Sequence, residues 1–305
     1  MATHTTTSPP IRVLVADQSA FLREVLGQLI GTDPLLTLCA TASALNDLIP
    51  LVTQSRPDVI VAGHDMFPRG VRPLLEHLQR RGLPVPRLIV CIPPTSPAAH
   101  DALQALADGA ADILCADRTA LCEQLGDLRT DLLRVIHAAA RAARRPGIGA
   151  LPTLPDEGEA DLILMTLGCD GLPTLERVLP ELSPQFPIPI IITHALPQAC
   201  AQALAARLDG LGAISVHLGV QGMPLYPGTA YVLPARALAR VRSLPGGPMR
   251  LELILCNGPD RGAGDPVVAT PPRTLRLTAA AGALFERPYP EIRGAAERLL
   301  MHRAA

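Results

Sequence analysis

Chemistry in this chain is limited first by what it lacks. All 27 basic residues are arginine. No lysine amine is available for a Schiff base or for a phosphate-binding loop. GPDRGAGD (258–265) has the glycines of such a loop but not G-x-x-x-x-G-K-S/T, and reads as a solvated turn. The seven cysteines, Cys39, Cys91, Cys115, Cys122, Cys169, Cys200 and Cys256, form no CxxC pair. Most sit in apolar runs, where a reduced, buried thiol is expected. Neither a metal nor a cofactor is expected. Chemical side chains do follow several apolar runs. IRVLVA leads to Asp17, DLILMTLG to Cys169 and Asp170, and IPIIIT to His194. VIVA (59–62) leads to Gly63, which brings no side chain to its loop.

The elements that must position these residues alternate. Expected strands are 11–16, 35–40, 57–62, 87–92 and 111–115. Amphipathic stretches at 19–30, 42–54, 70–81, 97–108 and 119–143 read as helices between them. Five such β–α units predict one doubly wound parallel sheet with right-handed crossovers. RRPGIGALPTLPDEGEA (144–160) breaks every period and reads as a linker. Strands 161–168, 188–193, 213–218 and 229–234 and helices 172–182 and 198–209 then build a second α/β domain. RLELILC (250–256) and RTLRLTA (273–279) read as strands, as a hairpin across NGPDRGAGDP (257–266), with a closing helix at 292–302. The domains are expected at 11–143 and 161–305.

Composition excludes several classes. A hydrophobic share of 48% with 18% charged residues describes a globular chain, and 305 residues suffice for two domains. Trp is absent and Phe and Tyr together number seven, so the cores must be aliphatic. A net charge of −1 does not favour nucleic acid. MATHTTTSPP has no apolar core and is not read as a secretory signal, and no run reaches the length of a membrane span. A cytoplasmic protein is expected.

IRVLVADQSAFLREVL (11–26) resembles the opening of response-regulator receiver domains. With the second domain it resembles the chemotaxis response-regulator protein-glutamate methylesterases. Three pieces carry the second half of the likeness. GCDGLPTLERVL (168–179) resembles the nucleophile loop and helix, PIIITHALP (189–197) the strand and loop of the catalytic histidine, and MPLYPGTAYVLPA (223–235) the PGT-x-Y-x-x-P strand. The resemblance implies a flavodoxin-like receiver followed by a Rossmann-like esterase domain. That domain would remove methyl esters from chemoreceptor glutamates.

It also implies sites that this chain has lost. A receiver holds Mg²⁺ with clustered acids, and Mg²⁺ demands several oxygen ligands. Asp17 fills one acidic position and Gln18 the other. The phosphoacceptor position is Gly63, with Asp65 two residues too late along the loop. Pro93 and Ala116 stand where a hydroxyl and a lysine belong. Asp17 alone is expected to serve only in capping the helix that follows.

The family's esterase uses a serine–histidine–aspartate arrangement. His194 matches the histidine. The nucleophile loop is about two residues short, and Asp170 stands nearest the serine, or Cys169 if the gap is placed differently. A Cys169 thiolate could replace the alkoxide, and the plainer alternative is a cysteine packed at its strand end. The aspartate should follow a late strand ending in a glycine–aspartate turn. The chain is expected to stop too soon for that, because Asp260 and Asp265 lie in a loop of a different character.

The expectation is a degenerate signalling member of that family, not phosphorylated and catalytically impaired. It would bind a chemoreceptor, a coupling protein or a histidine kinase. The alternative is an esterase or amidase that uses Cys169 or Asp170 with His194.

Overall fold

The computed structural model describes residues 9–116, 121–144, 161–167, 171–194, 196, 198–212, 214–233, 237–242, 247–255, 268–269 and 274–279. The linker, Cys169, Asp170, the 257–266 loop with Asp260 and Asp265, and the 292–302 helix lie outside them. The chain divides into two compact units, residues 1–93 with 108–144 and residues 94–107 with 145–305.

In the first unit each apolar run becomes a strand. These are β1 (Ile11–Ala16), β2 (Leu36–Ala42), β3 (Val59–Gly63), β4 (Arg87–Ile92) and β5 (Asp112–Cys115). All pair in parallel in the order β2-β1-β3-β4-β5. This is the doubly wound, flavodoxin-like order, and its direction of winding reverses between β1 and β3. Every residue of β3 is buried, as a strand covered on both faces requires. Helices α1 (Ala20–Gly31), α2 (Leu45–Ser55), α3 (Arg72–Arg80) and α5 (Leu121–Arg144) complete the unit; α4 (Ser96–Ala107) groups with the second unit.

Leu22, Leu26 and Ile30 of α1 and Leu132, Val135 and Ile136 of α5 cover one face of the sheet. They meet Val13, Val15, Val59, Val61 and Ile89, so this core is aliphatic. Burying each such side chain contributes about 1.5–3 kcal/mol. Polar contacts fix α5 as well. His137 Nε2 lies 2.8 Å from Asp33 Oδ2, and the Arg129 guanidinium donates to Thr32 Oγ1 at 3.1 Å. The bond to His137 holds the Asp33 carboxyl below its ordinary value.

The second unit contains a second all-parallel sheet. Its strands are β6 (Leu162–Leu167), β7 (Ile190–His194), β8 (Ser215–Leu218), β9 (Thr229–Val232) and β13 (Thr274–Ala279), in the order β13-β6-β7-β9-β8. Helices α6 (Leu172–Val178) and α7 (Gln198–Asp209) accompany it. The helix expected over 172–182 is α6 followed by a 3-10 turn at Leu179–Glu181. Three further strands, β10 (Ala237–Arg242), β11 (Arg250–Leu255) and β12 (Val268–Ala269), form a small sheet in the order β11-β10-β12. Ala239, Val241 and Leu251 of that sheet pack with Leu162, Leu164, Ile191 and Tyr231 of the parallel one.

Two expectations about this region are corrected. Residues 250–256 and 273–279 do not pair as a hairpin: β11 pairs antiparallel with β10, and β13 pairs in parallel with β6. A strand at 237–242 was not expected at all. Its buried positions are small, so its alternation is faint in the sequence.

Candidate active site

The PGT-x-Y-x-x-P segment is a scaffold. Gly228 has φ +70, and a Cβ there would collide with the Pro184 carbonyl oxygen. Only glycine meets both conditions without strain. Tyr231 is buried, and its hydroxyl accepts from Tyr226 N at 2.9 Å and donates to Pro224 O at 3.1 Å. It thereby locks the 224–228 loop onto β9. Leu233 N donates to Ile192 O at 2.9 Å and continues the ladder beyond β9.

His194 is the last residue of β7 and is 2% exposed. Strand alternation puts it on the same side as Ile190 and Ile192, while Thr193 faces the other way. There the Thr193 hydroxyl lies 3.1 Å from Thr166 Oγ1. On the backbone, His194 is in register with Leu167, which is in turn in register with Ala279. The ends of β7, β6 and β13 thus form one row.

A late strand of the kind expected before the third catalytic residue is therefore in place at Thr274–Ala279. The residues that follow it in sequence are Ala280, Ala281, Gly282 and Ala283, and the next carboxylate in sequence is Glu286.

The ring of His194 has a defined tautomer. Leu196 N–H donates to Nδ1 at 3.1 Å. Nδ1 must therefore keep its lone pair, and the single ring proton of the neutral imidazole sits on Nε2. Nε2 is fully buried and has no hydrogen-bond partner among the described residues. Burial pushes the ring down to about 4, against smaller upward pulls from the Leu233 and Leu196 backbones. His194 is thus a neutral N–H donor aimed from a strand end.

In the first unit, Asp17 is 1% exposed. Its Oδ1 accepts from Ser19 N at 2.7 Å. The cap of α1 is Ser19 itself, whose hydroxyl accepts from Leu22 N at 3.3 Å. The expected capping role of Asp17 is corrected to bracing the turn that presents Ser19.

Asp65 is also repositioned. A Cβ on Gly63 would lie 2.6 Å from Asp65 Oδ1 and closer still to Asp17 Oδ2. The 3-10 turn at His64–Met66 folds the Asp65 carboxylate back beside the glycine. Gln18 Nε2 donates to Asp65 O at 3.2 Å and ties the turn to the end of β1. Two carboxylates therefore occupy the space where a side chain at position 63 would begin. Among the described residues, no group of three or more His, Cys, Asp or Glu side chains could hold a metal ion.

The family model for CheB methylesterase matches residues 163–271. A protein-glutamate methylesterase/protein-glutamine glutaminase of Symbiobacterium thermophilum is 33% identical over 247 residues, 74% of this chain and 67% of the relative. This chain belongs to the protein-glutamate methylesterase/protein-glutamine glutaminase family. A second member, from Cereibacter sphaeroides, is 29% identical over 278 residues, 89% of this chain and 73% of that one.

Among solved structures, the response regulator domain of Thermotoga maritima CheB is 26% identical, covers 43% of this chain and 97% of its own, and has a TM-score of 0.38. The CheB methylesterase catalytic domain of the same organism is 21% identical, covers 34% of this chain and 54% of its own, and has a TM-score of 0.31. Within the methylesterase match fall His194 and the positions of Cys169 and Asp170.

Proposed function

We propose that this chain is a chemotaxis-type signalling member of the methylesterase family that works by binding partners, with little or no ester hydrolysis. The observation that carries the reading is the hydrogen bond from Leu196 N–H into His194 Nδ1. A histidine base in a triad takes the nucleophile's proton on one ring nitrogen while a carboxylate holds the N–H of the other. Here the Nδ1 position is occupied by a donor, so a carboxylate has no N–H to accept there. Nε2 already carries the proton that it would need to lose. Switching tautomer would orphan the buried Leu196 N–H, at about 1–3 kcal/mol. A ring held down to about 4 is also a weak base at neutral pH.

The receiver half supports the same reading. Gly63 offers no oxygen to phosphorylate, and Gln18, Pro93 and Ala116 replace its helpers. Partners would be a chemoreceptor, a coupling protein or a histidine kinase, in the cytoplasm. In sequence the chain would comprise a degenerate receiver over 11–143 and a degenerate esterase domain over 161–305.

One observation favours the enzymatic alternative. His194 is in register with Leu167, two residues before Cys169 and three before Asp170. In that reading the His194 imidazole takes the Cys169 thiol proton, Sγ attacks the ester carbonyl and the C–O bond to methanol breaks. Methanol leaves with a proton from the imidazole, and water then releases the carboxylate from the thioester.

Purified protein incubated with methyl-labelled receptor separates the two. The expected result is no methanol above the buffer blank. Release that disappears in both Cys169→Ala and His194→Ala would establish the alternative and overturn the first reading.

A further inference from the structure

The outward face of the small sheet is strongly charged. ALARVR (237–242) and RLELIL (250–255) alternate with period two. Ala239, Val241 and Leu251 point into the core. The other parity points out, and register places Arg240 opposite Glu252 and Arg242 opposite Arg250. Three arginines and one glutamate thus share one face of two strands, in a chain whose net charge is −1.

Two guanidinium groups directly across an antiparallel pair repel each other. The fold offsets this only in part. Arg242 reaches diagonally to Glu252 at 3.0 Å, and Arg250 donates to the Gly222 carbonyl at 2.9 Å. Glu252 is thereby drawn away from Arg240, its own cross-strand partner. The exposed Arg240 side chain has no hydrogen bond or ion pair among the described residues.

We propose that this face docks an acidic segment of a polypeptide partner through Arg240, Arg242 and Arg250. Cross-strand neighbours stand about 5 Å apart and same-strand neighbours about 7 Å apart. That grid presents planar forks to carboxylates at comparable spacing, and guanidinium groups bind carboxylates in pairs of parallel hydrogen bonds. The one carboxylate already on the face, Glu252, is held by Arg242 through a single Nε–Oε1 ion pair at 3.0 Å. Three arginines on two short strands match a short acidic peptide better than a nucleic acid, which needs an extended basic surface. The face does not include His194, so the proposal stands or falls independently of ester hydrolysis.

The probe is a fluorescein-labelled peptide of alternating glutamate and alanine, read by anisotropy with the full chain at low and high ionic strength. The peptide is expected to bind saturably and to weaken as salt rises. Arg240→Glu should weaken it about fivefold, the upper range for one exposed charge pair. R240E sets a carboxylate opposite Glu252 and should melt slightly below the wild type, whereas R240Q, with no like charge opposite, should melt with it. R240Q/R242Q/R250Q, shown folded by circular dichroism, should abolish binding. A lysine–alanine peptide should not bind. Absence of saturable binding at low salt, or unchanged affinity in R240E, would overturn the proposal. Tighter binding of a single-stranded oligonucleotide than of the peptide would overturn the partner class.

Discussion

At the scale of single residues, two positions carry the sharpest predictions. Gly63 is a glycine because two carboxylates, Asp17 and Asp65, crowd its missing Cβ. Gly63→Ala should therefore cost about 1–3 kcal/mol, as overpacking in a filled site does. Gly63→Asp should cost more, since it adds a third charge to the pair. Thermal melts of both variants test the order, wild type above Ala above Asp. His194 makes a prediction about pH. Its folded-state value, about 4, lies below the ordinary 6.5. Between those limits the unfolded chain binds a proton that the folded chain excludes, so stability rises with pH there. On acidification the native state should lose up to about 3 kcal/mol between pH 6.5 and pH 4. His194→Gln should flatten that slope in urea titrations at stepped pH. An equal slope in the variant would place the ring's titration outside folding.

Elements hold these residues by long-range hydrogen bonds. The clearest is the loop after β8, which has no regular structure of its own yet is fixed at several points. Gly219 N bonds Val232 O, Gly222 N bonds Leu251 O, and Leu225 N bonds Met249 O. Tyr231 adds two bonds from beneath. Tyr231→Phe should remove both and cost about 1–3 kcal/mol, because a buried donor and acceptor are left open. Gly228→Ala should cost more, since positive φ and the Pro184 carbonyl act together. Both are read from chemical denaturation midpoints. A Gly228→Ala variant as stable as wild type would mean that the loop relaxes freely.

For the whole molecule, the proposed reading puts a loss in each half. On that reading a receiver without an acceptor has no phosphoryl signal to pass on. Acetyl phosphate with Mg²⁺ should leave the intact mass unchanged, and any methanol release should be the same with and without the phosphodonor. A stoichiometric, base-labile adduct on Asp65 would contradict this directly. That outcome is the informative one, because the Asp65 carboxylate lies beside the acceptor position in space although it is two residues away in sequence. Among the described residues no helix is long and apolar enough to cross a membrane.

Much of this was legible in the residues alone. Apolar runs of four to six residues fixed the parallel strands, because a strand covered on both faces tolerates nothing else. The sequence also placed Gly63 and His194 at strand ends, and they are the last residues of β3 and β7. Three features came only from the tertiary structure. β13 closes the parallel sheet against β6 instead of returning along β11, a choice between equally apolar edges that no local pattern records. The Asp65 carboxylate folds back onto Gly63 because a 3-10 turn shortens the distance that sequence counts as two residues. The proton of His194 sits on Nε2 because one backbone N–H points at Nδ1. Residue type and period act locally, whereas sheet order, turn geometry and the direction of a single N–H are set by contacts between distant parts of the chain.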